Sequence, residues 1–234
     1  MINRTGRLTV VVVIAAACAA VPAARVGAQQ GKPTVVVMVF NNDADPRTAR
    51  DYEGLNKAIA DFLTTEMSVN PNVRVVDRAQ VQKAIDAQRL LPGARLTRES
   101  AMTAAKSVGA QKVIVGRFAP DAQGNFRIDA RAVDVASGAV EFTDRVQARA
   151  DSIVPLVGGL ASRLYGGMGV APATSAAGPA ARLPMRAAIT YGQALDAADR
   201  GDRARATELY GTVLKDYPDY EPAKRGLARL KPGP

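Results

Sequence analysis

The side chains most used for acid–base and metal chemistry are nearly missing from this chain. It has no histidine and a single cysteine, Cys18. Imidazole triads, histidine metal sites and imidazole acid–base catalysis are thereby excluded. Lys106 and Ser107 could in principle form a serine–lysine pair. Neighbours on a helix point in different directions, however, and no motif singles out two carboxylates. The segment Asn41-Asn42-Asp43-Ala44-Asp45 is rich in oxygen ligands, and Asn41, Asp43 and Asp45 imitate the start of a calcium loop. Pro46 stands where that loop needs glycine, and Tyr52 where it needs a bidentate glutamate. The segment therefore reads as a solvated turn with caps for the helix that follows. It also lies past the carboxyl end of a strand, where α/β sheets bind ligands. Asn41, Asn42, Asp43 and Asp45 are thus the candidate ligand or partner loop. Tyr165-Gly166-Gly167-Met168-Gly169 follows a helix instead of joining a strand to one, so it lacks a dinucleotide-binding context. Tyr191, Tyr210, Tyr217 and Tyr220 sit in C-terminal helices; such residues fill inter-helix packing or, on the sharper reading, line a partner-binding groove. The reading is of a protein that is not an enzyme, with no cofactor and no metal.

The N-terminus carries Arg4 and Arg7, an apolar run from Leu8 to Ala20, and small residues around Val26-Gly27-Ala28. These are the parts of a secretory signal, placing residues 1–28 as a signal peptide cut after Ala28. The apolar run falls short of the roughly 20 residues that a permanent membrane helix needs. Cys18 admits two readings: a lipidation site, or a small apolar residue in a discarded segment. Ala15 stands where a lipidation motif prefers leucine. Without Cys18 the chain forms no disulfide and no thiolate metal site. The net charge of +9 falls to +6 once Arg4, Arg7 and Arg25 leave with the signal. The remaining basic residues read as scattered among carboxylates, with no nucleic-acid motif beside them; weak attraction to an anionic lipid or polymer stays open.

Hydrophobic patterning divides the rest. Thr34–Phe40 is a continuous β-branched run, as in a strand covered on both faces. Tyr52, Leu55, Ile59, Phe62, Leu63 and Met67 recur at helical spacing, and Val73–Val76 returns as a strand. Asp77 fits an N-cap with Gln80 completing a capping box. Thr97 caps a third helix that ends at Gly109, and Lys112–Phe118 is another buried strand. Phe126, Ile128, Ala130 and Ala132 alternate with Arg127, Asp129 and Arg131. Val140, Phe142 and Val146 likewise alternate with Glu141, Thr143 and Arg145. A three-residue loop, Ala136-Ser137-Gly138, joins these strands and sets Ala132 opposite Phe142, Ile128 opposite Val146 and Asp129 opposite Arg145. Asp151 caps a fourth helix. The order predicts an α/β fold, a mixed β-sheet flanked by helices over residues 34–165. Residues 166–186, rich in Gly, Ala, Pro and Ser, read as a flexible linker. Residues 187–231 form a small α-helical appendage of tetratricopeptide type: Ala206, Tyr210 and Pro218 match its small, aromatic and proline positions. Solenoids need about three repeats, so this short piece must dock on the α/β body or on a partner, or else stay mobile.

Val75–Gln88 (VVDRAQVQKAIDAQ), Gly109–Phe118 and the D-V-x-S-G turn at Asp134–Gly138, in this order, resemble the CsgG family of curli assembly components. That family is related in fold to LpoB and to the N-terminal domain of TolB. The resemblance spans roughly Thr34–Leu164. It implies a bacterial envelope protein, periplasmic or attached to the outer membrane, that assists assembly or secretion through contacts with other envelope proteins. A homo-oligomer and peripheral outer-membrane contact are compatible with it; nucleic acid is not an expected partner. The curli component builds its pore from β-hairpins, and a spanning hairpin takes roughly 20 residues. The connections Ala119–Asn125 and Ala136–Gly138 are too short for one, so the pore does not carry over. The alternative expectation is a regulator that binds and activates a peptidoglycan-synthesising enzyme, as LpoB does.

Overall fold

A computed structural model describes residues 31–90, 94–121, 125–149, 153–172 and 183–231. The signal segment with Cys18, the Asp151 cap and residues 173–182 of the expected linker lie outside the described residues.

The fold is α/β, with a mixed sheet in the order β3-β1-β4-β5-β6. Strand β1 (Thr34–Val37) lies inside the sheet, between β3 and β4, and its side chains have apolar cover on both sides. Val35 and Val37 enter one core, Val36 and Met38 the other. β3 (Arg74–Val75) and β4 (Lys112–Pro120) flank β1 in parallel. The run expected as one strand to Phe40 is interrupted. Between the pairs Val37↔Ile114 and Asn41↔Arg117, the chain advances four residues against three on β4. The extra residue is a bulge, after which Asn41–Asn42, expected in a loop, pairs with β4 as β2. The bulge seats Phe40 directly on Gly116, where an added Cβ would come within 2.2 Å of the ring.

β5 (Asn125–Asp134) and β6 (Val140–Arg149) complete the sheet as an antiparallel hairpin. Ala132 faces Phe142, Ile128 faces Val146 and Asp129 faces Arg145, the register that side-chain alternation predicts. The turn itself differs from the expected three-residue loop. Asp134 N–H donates to the Ala139 carbonyl, and a bulge between Ala132 and Val133 absorbs the extra residue. The Asp134 carboxylate holds the turn by accepting from Ser137 N–H and hydroxyl, and Gly138 takes the left-handed conformation at φ 72°.

Helices α1 (Leu55–Ser68) and α4 (Ile153–Gly167) cover one face, while α2 (Arg78–Asp86) and α3 (Arg98–Ser107) cover part of the other. Asp77 caps α2 through Ala79 N–H, and Thr97 caps α3 through Ser100 N–H. Tyr52, expected to begin the apolar face of α1, instead ends a short 3-10 turn, Ala49–Tyr52. Gly54 separates the two at φ 97°, a conformation that side chains with a Cβ resist.

Three further helices, α5 (Met185–Asp199), α6 (Arg203–Asp216) and α7 (Glu221–Leu230), stack outward from α1. One apolar cluster runs without a break from the sheet through Leu55, Ile59 and Phe62 to Tyr191, Leu195, Tyr210 and Ala223. The docking is backbone against backbone: a Cβ on Gly192 would sit 1.9 Å from the Gly54 carbonyl oxygen. Gly192→Ala is expected to lower unfolding free energy by about 3 kcal/mol, at the upper end of overpacking costs. Gly211, in α6, faces open space, so Gly211→Ala should stabilise by about 0.5–1 kcal/mol. Urea denaturation of the two variants measures both effects.

Candidate functional site

The close approach of α5 brings charged groups from three helices together. Lys57 Nζ on α1 lies 2.8 Å from Asp199 and 2.9 Å from Asp196 of α5. Arg78, from the start of α2, reaches Asp199 at 2.7 Å and Asp61 at 3.5 Å. The side chains of Lys57, Asp199 and Arg78 are only 12%, 8% and 15% exposed, so this is a largely dry network. Beside it the Tyr191 hydroxyl donates to Asp61 at 2.7 Å. Burial pushes the Asp61 carboxyl above its ordinary value, with the Tyr191 hydroxyl and Arg78 pulling the other way. Burial likewise holds the Tyr191 phenol well above its ordinary value, with Asp61 adding to the effect.

The candidate tyrosines meet here as packing. Tyr191 stacks on Phe62 of α1 at 5.7 Å and touches Tyr210 and Tyr220 at 5.9 and 5.4 Å. Tyr191 and Tyr210 are each 2% exposed, while Tyr217 and Tyr220 pack partly buried against the same cluster. A helix-packing cluster, not an open aromatic groove, is what they form.

Between α5–α6 and the α/β body lies a cleft of about 730 Å³. Asn41 and Asn42 of β2 line it together with Lys57 of α1 and Asp86 of α2 from the body and Gln193 and Arg200 from α5 and its end. Leu90, 40% exposed, supplies an apolar surface among these charges. The candidate loop thus contributes Asn41 and Asn42 to a real concavity. Its own polar atoms are committed within the chain. Asn41 exchanges two hydrogen bonds of 3.1 Å with the Leu96 backbone. Asn42 accepts from Ala44 N–H and donates to the Ala49 carbonyl. Asp43 faces Arg95 and Arg117, and Asp45 accepts from Arg47. Among the described residues no three acidic or thiol side chains gather as a metal site would require.

The charges that read as scattered in sequence fall on one surface. Strand alternation turns Arg127, Asp129 and Arg131 of β5 to the same side as Arg145 and Arg149 of β6 and Arg117 of β4. The α2–α3 layer covers this side of the sheet around Val36, Met38, Val113, Val133 and Val135, leaving the arginine end open. Asp129 lies at its centre, 2.5 Å from Arg145, 3.1 Å from Arg127 and 3.4 Å from Arg117. Burial disfavours the Asp129 carboxylate, yet the Arg145 hydrogen bond and the charges of Arg127, Arg145 and Arg117 outweigh it and hold its pKa below the ordinary 3.8. A second concavity of about 240 Å³, lined on this face by Arg117, Asp129, Arg131 and Arg145, shares Val39, Asn41 and Leu96 with the cleft. The two surfaces are continuous.

Two measurements test this electrostatic reading. Arg78→Ala leaves Asp199 with one cation fewer in a dry site, at an expected cost of about 3 kcal/mol, read by denaturant midpoint. Because Asp129 has a depressed folded pKa, its contribution is present above the unfolded value and disappears as pH falls through the folded one. Asp129→Asn should therefore be less stable than the native protein at neutral pH and lose less stability on acidification below about pH 4, as urea midpoints at each pH would show.

No known family model matches the chain, and no curated protein matches it. Among solved structures it is similar to the LpoB C-terminal domain from Salmonella enterica, at 18% identity and TM-score 0.39 over 51% of this chain and 84% of that one. It is also similar to LpoB from E. coli in solution, at 19% identity and TM-score 0.40, covering 49% of this chain and 55% of that one. TolB from Acinetobacter baumannii matches at 11% identity and TM-score 0.38, over 58% of this chain and 28% of that one.

Proposed function

We propose that this is an exported, non-enzymatic binding protein of the bacterial envelope that grips a segment of another protein and so regulates an envelope enzyme, such as a peptidoglycan synthase. The observation that carries the reading is the cleft of about 730 Å³ beside β2, one side of which is built by the helical appendage. Its lining mixes cations, carboxylates and amides with the exposed face of Leu90. Such a lining suits an extended polypeptide, whose backbone needs donors and acceptors and whose side chains need one apolar seat.

The regulator reading stands ahead of secretion for a geometric reason. The secretion relative named by the sequence resemblance donates long hairpins to a shared barrel. Here the hairpin between β5 and β6 closes at Asp134 and Ala139, and the connection from Pro120 to Asn125 closes by hydrogen bonds between Asp121 and Asn125. Neither has the roughly 20 residues of a spanning hairpin. The cleft supports the regulator reading instead.

The test is reconstitution with a purified peptidoglycan synthase from the same organism. Glycan polymerisation should accelerate on adding the protein. Leu90→Asp should weaken the effect about tenfold, by placing a charge where an apolar contact is buried. If no synthase responds and a photo-crosslinker at position 90 captures only secretion components in cells, the regulator reading fails.

A further inference from the structure

We propose that the open arginine face of β4–β5–β6 is a docking surface for the anionic headgroups of a phospholipid membrane. The inference does not rest on the cleft or its partner. Arg117, Arg127, Arg131, Arg145 and Arg149 occupy one side of three adjacent strands; Asp129 is the carboxylate these strands place among them, and Asp43 adds a second at Arg117, which it shares with Arg95. Two acids, one of them shared with Arg95, cannot neutralise five guanidinium groups, so the face keeps a positive surplus. Asp129 instead gathers Arg117, Arg127 and Arg145 around itself and holds their heads in a fixed array before any ligand arrives.

The dimensions and the chemistry favour a membrane over a protein. Residues four apart on a strand are about 13 Å apart, and three strands span about 10 Å. This array is broad enough for several phosphates at once. On β6 the residues between the arginines are Thr143 and Gln147, both exposed and polar, and the apolar residues beside Arg117 on β4, Val115 and Ala119, are small and half-buried. Protein interfaces draw their affinity from a desolvated core with aromatic or aliphatic anchors. A charged lipid surface needs no such core, since each Lys or Arg near it contributes independently. The guanidinium fork also matches phosphate oxygens two at a time.

Vesicle co-sedimentation with the purified protein tests the proposal. The protein should pellet with phosphatidylglycerol vesicles, remain in the supernatant with phosphatidylcholine vesicles, and release as salt shortens the screening length. Arg131→Ala combined with Arg149→Ala should weaken binding about twentyfold, roughly fivefold per arginine, and Arg131→Lys with Arg149→Lys should retain it. Equal partition onto neutral vesicles, or full binding by the double alanine variant, overturns the proposal. So does tight binding of a glutamate-rich peptide with no vesicle binding, which would reassign the face to an acidic protein. Should the alanine pair not fold, by circular dichroism, the lysine pair and the salt titration of the native protein decide: salt-insensitive binding overturns it.

Discussion

The outer half of the molecule depends on how closely α5 can approach the first residues of α1. The absence of a side chain at both Gly54 and Gly192 lets the two backbones touch. That contact sets Tyr191 down on Phe62 and Asp61, and brings Asp196 and Asp199 over Lys57 and Arg78. Burying ions does not by itself stabilise a fold, because desolvation offsets the attraction. The value of this network lies in direction. An apolar helix face could slide or rotate on α1, whereas paired charges and one phenol–carboxylate hydrogen bond fix a single seat. The cleft beside them is a by-product of that seat.

How far the sequence disclosed this varies with the kind of signal. Register in β5–β6 was legible because its apolar residues alternate, so only one pairing keeps Ile128, Ala132, Phe142 and Val146 on the same side. The bulge before Asn41 was hidden by the opposite circumstance. In the continuous apolar run of β1 every register buries something, and only the seat for Phe40 above Gly116 decides between them. The caps at Asp77 and Thr97 were legible because capping is local. The role of Gly192 was not, since a glycine inside a helix reads only as a weak helix former.

The arginine face shows a different failure of sequence reading. In the sequence Arg127, Asp129 and Arg131 read as the polar half of an alternation, and the basic residues read as spread among carboxylates along the chain. Two-residue periodicity on neighbouring strands converts such spacing into a surface. The signal was present, but it became charge density only once β5 was paired with β6 and β4. The candidate loop is a milder case: Asn41 and Asn42 do line the cleft, but their side chains act mainly to brace the backbone around it.

The strand order places β6, ten residues long, at one margin of the sheet. A long margin of unpaired backbone is a template on which another chain can add itself as a strand, the first step of aggregation. Glu141, Asp144, Arg145 and Arg149 put charge along that margin, while the shared Asp129 keeps the strongest concentration of it tolerable to the folded state. The arginines therefore have a second consequence, unconnected with any ligand. Charge along an edge strand disfavours its pairing with the same edge of another copy.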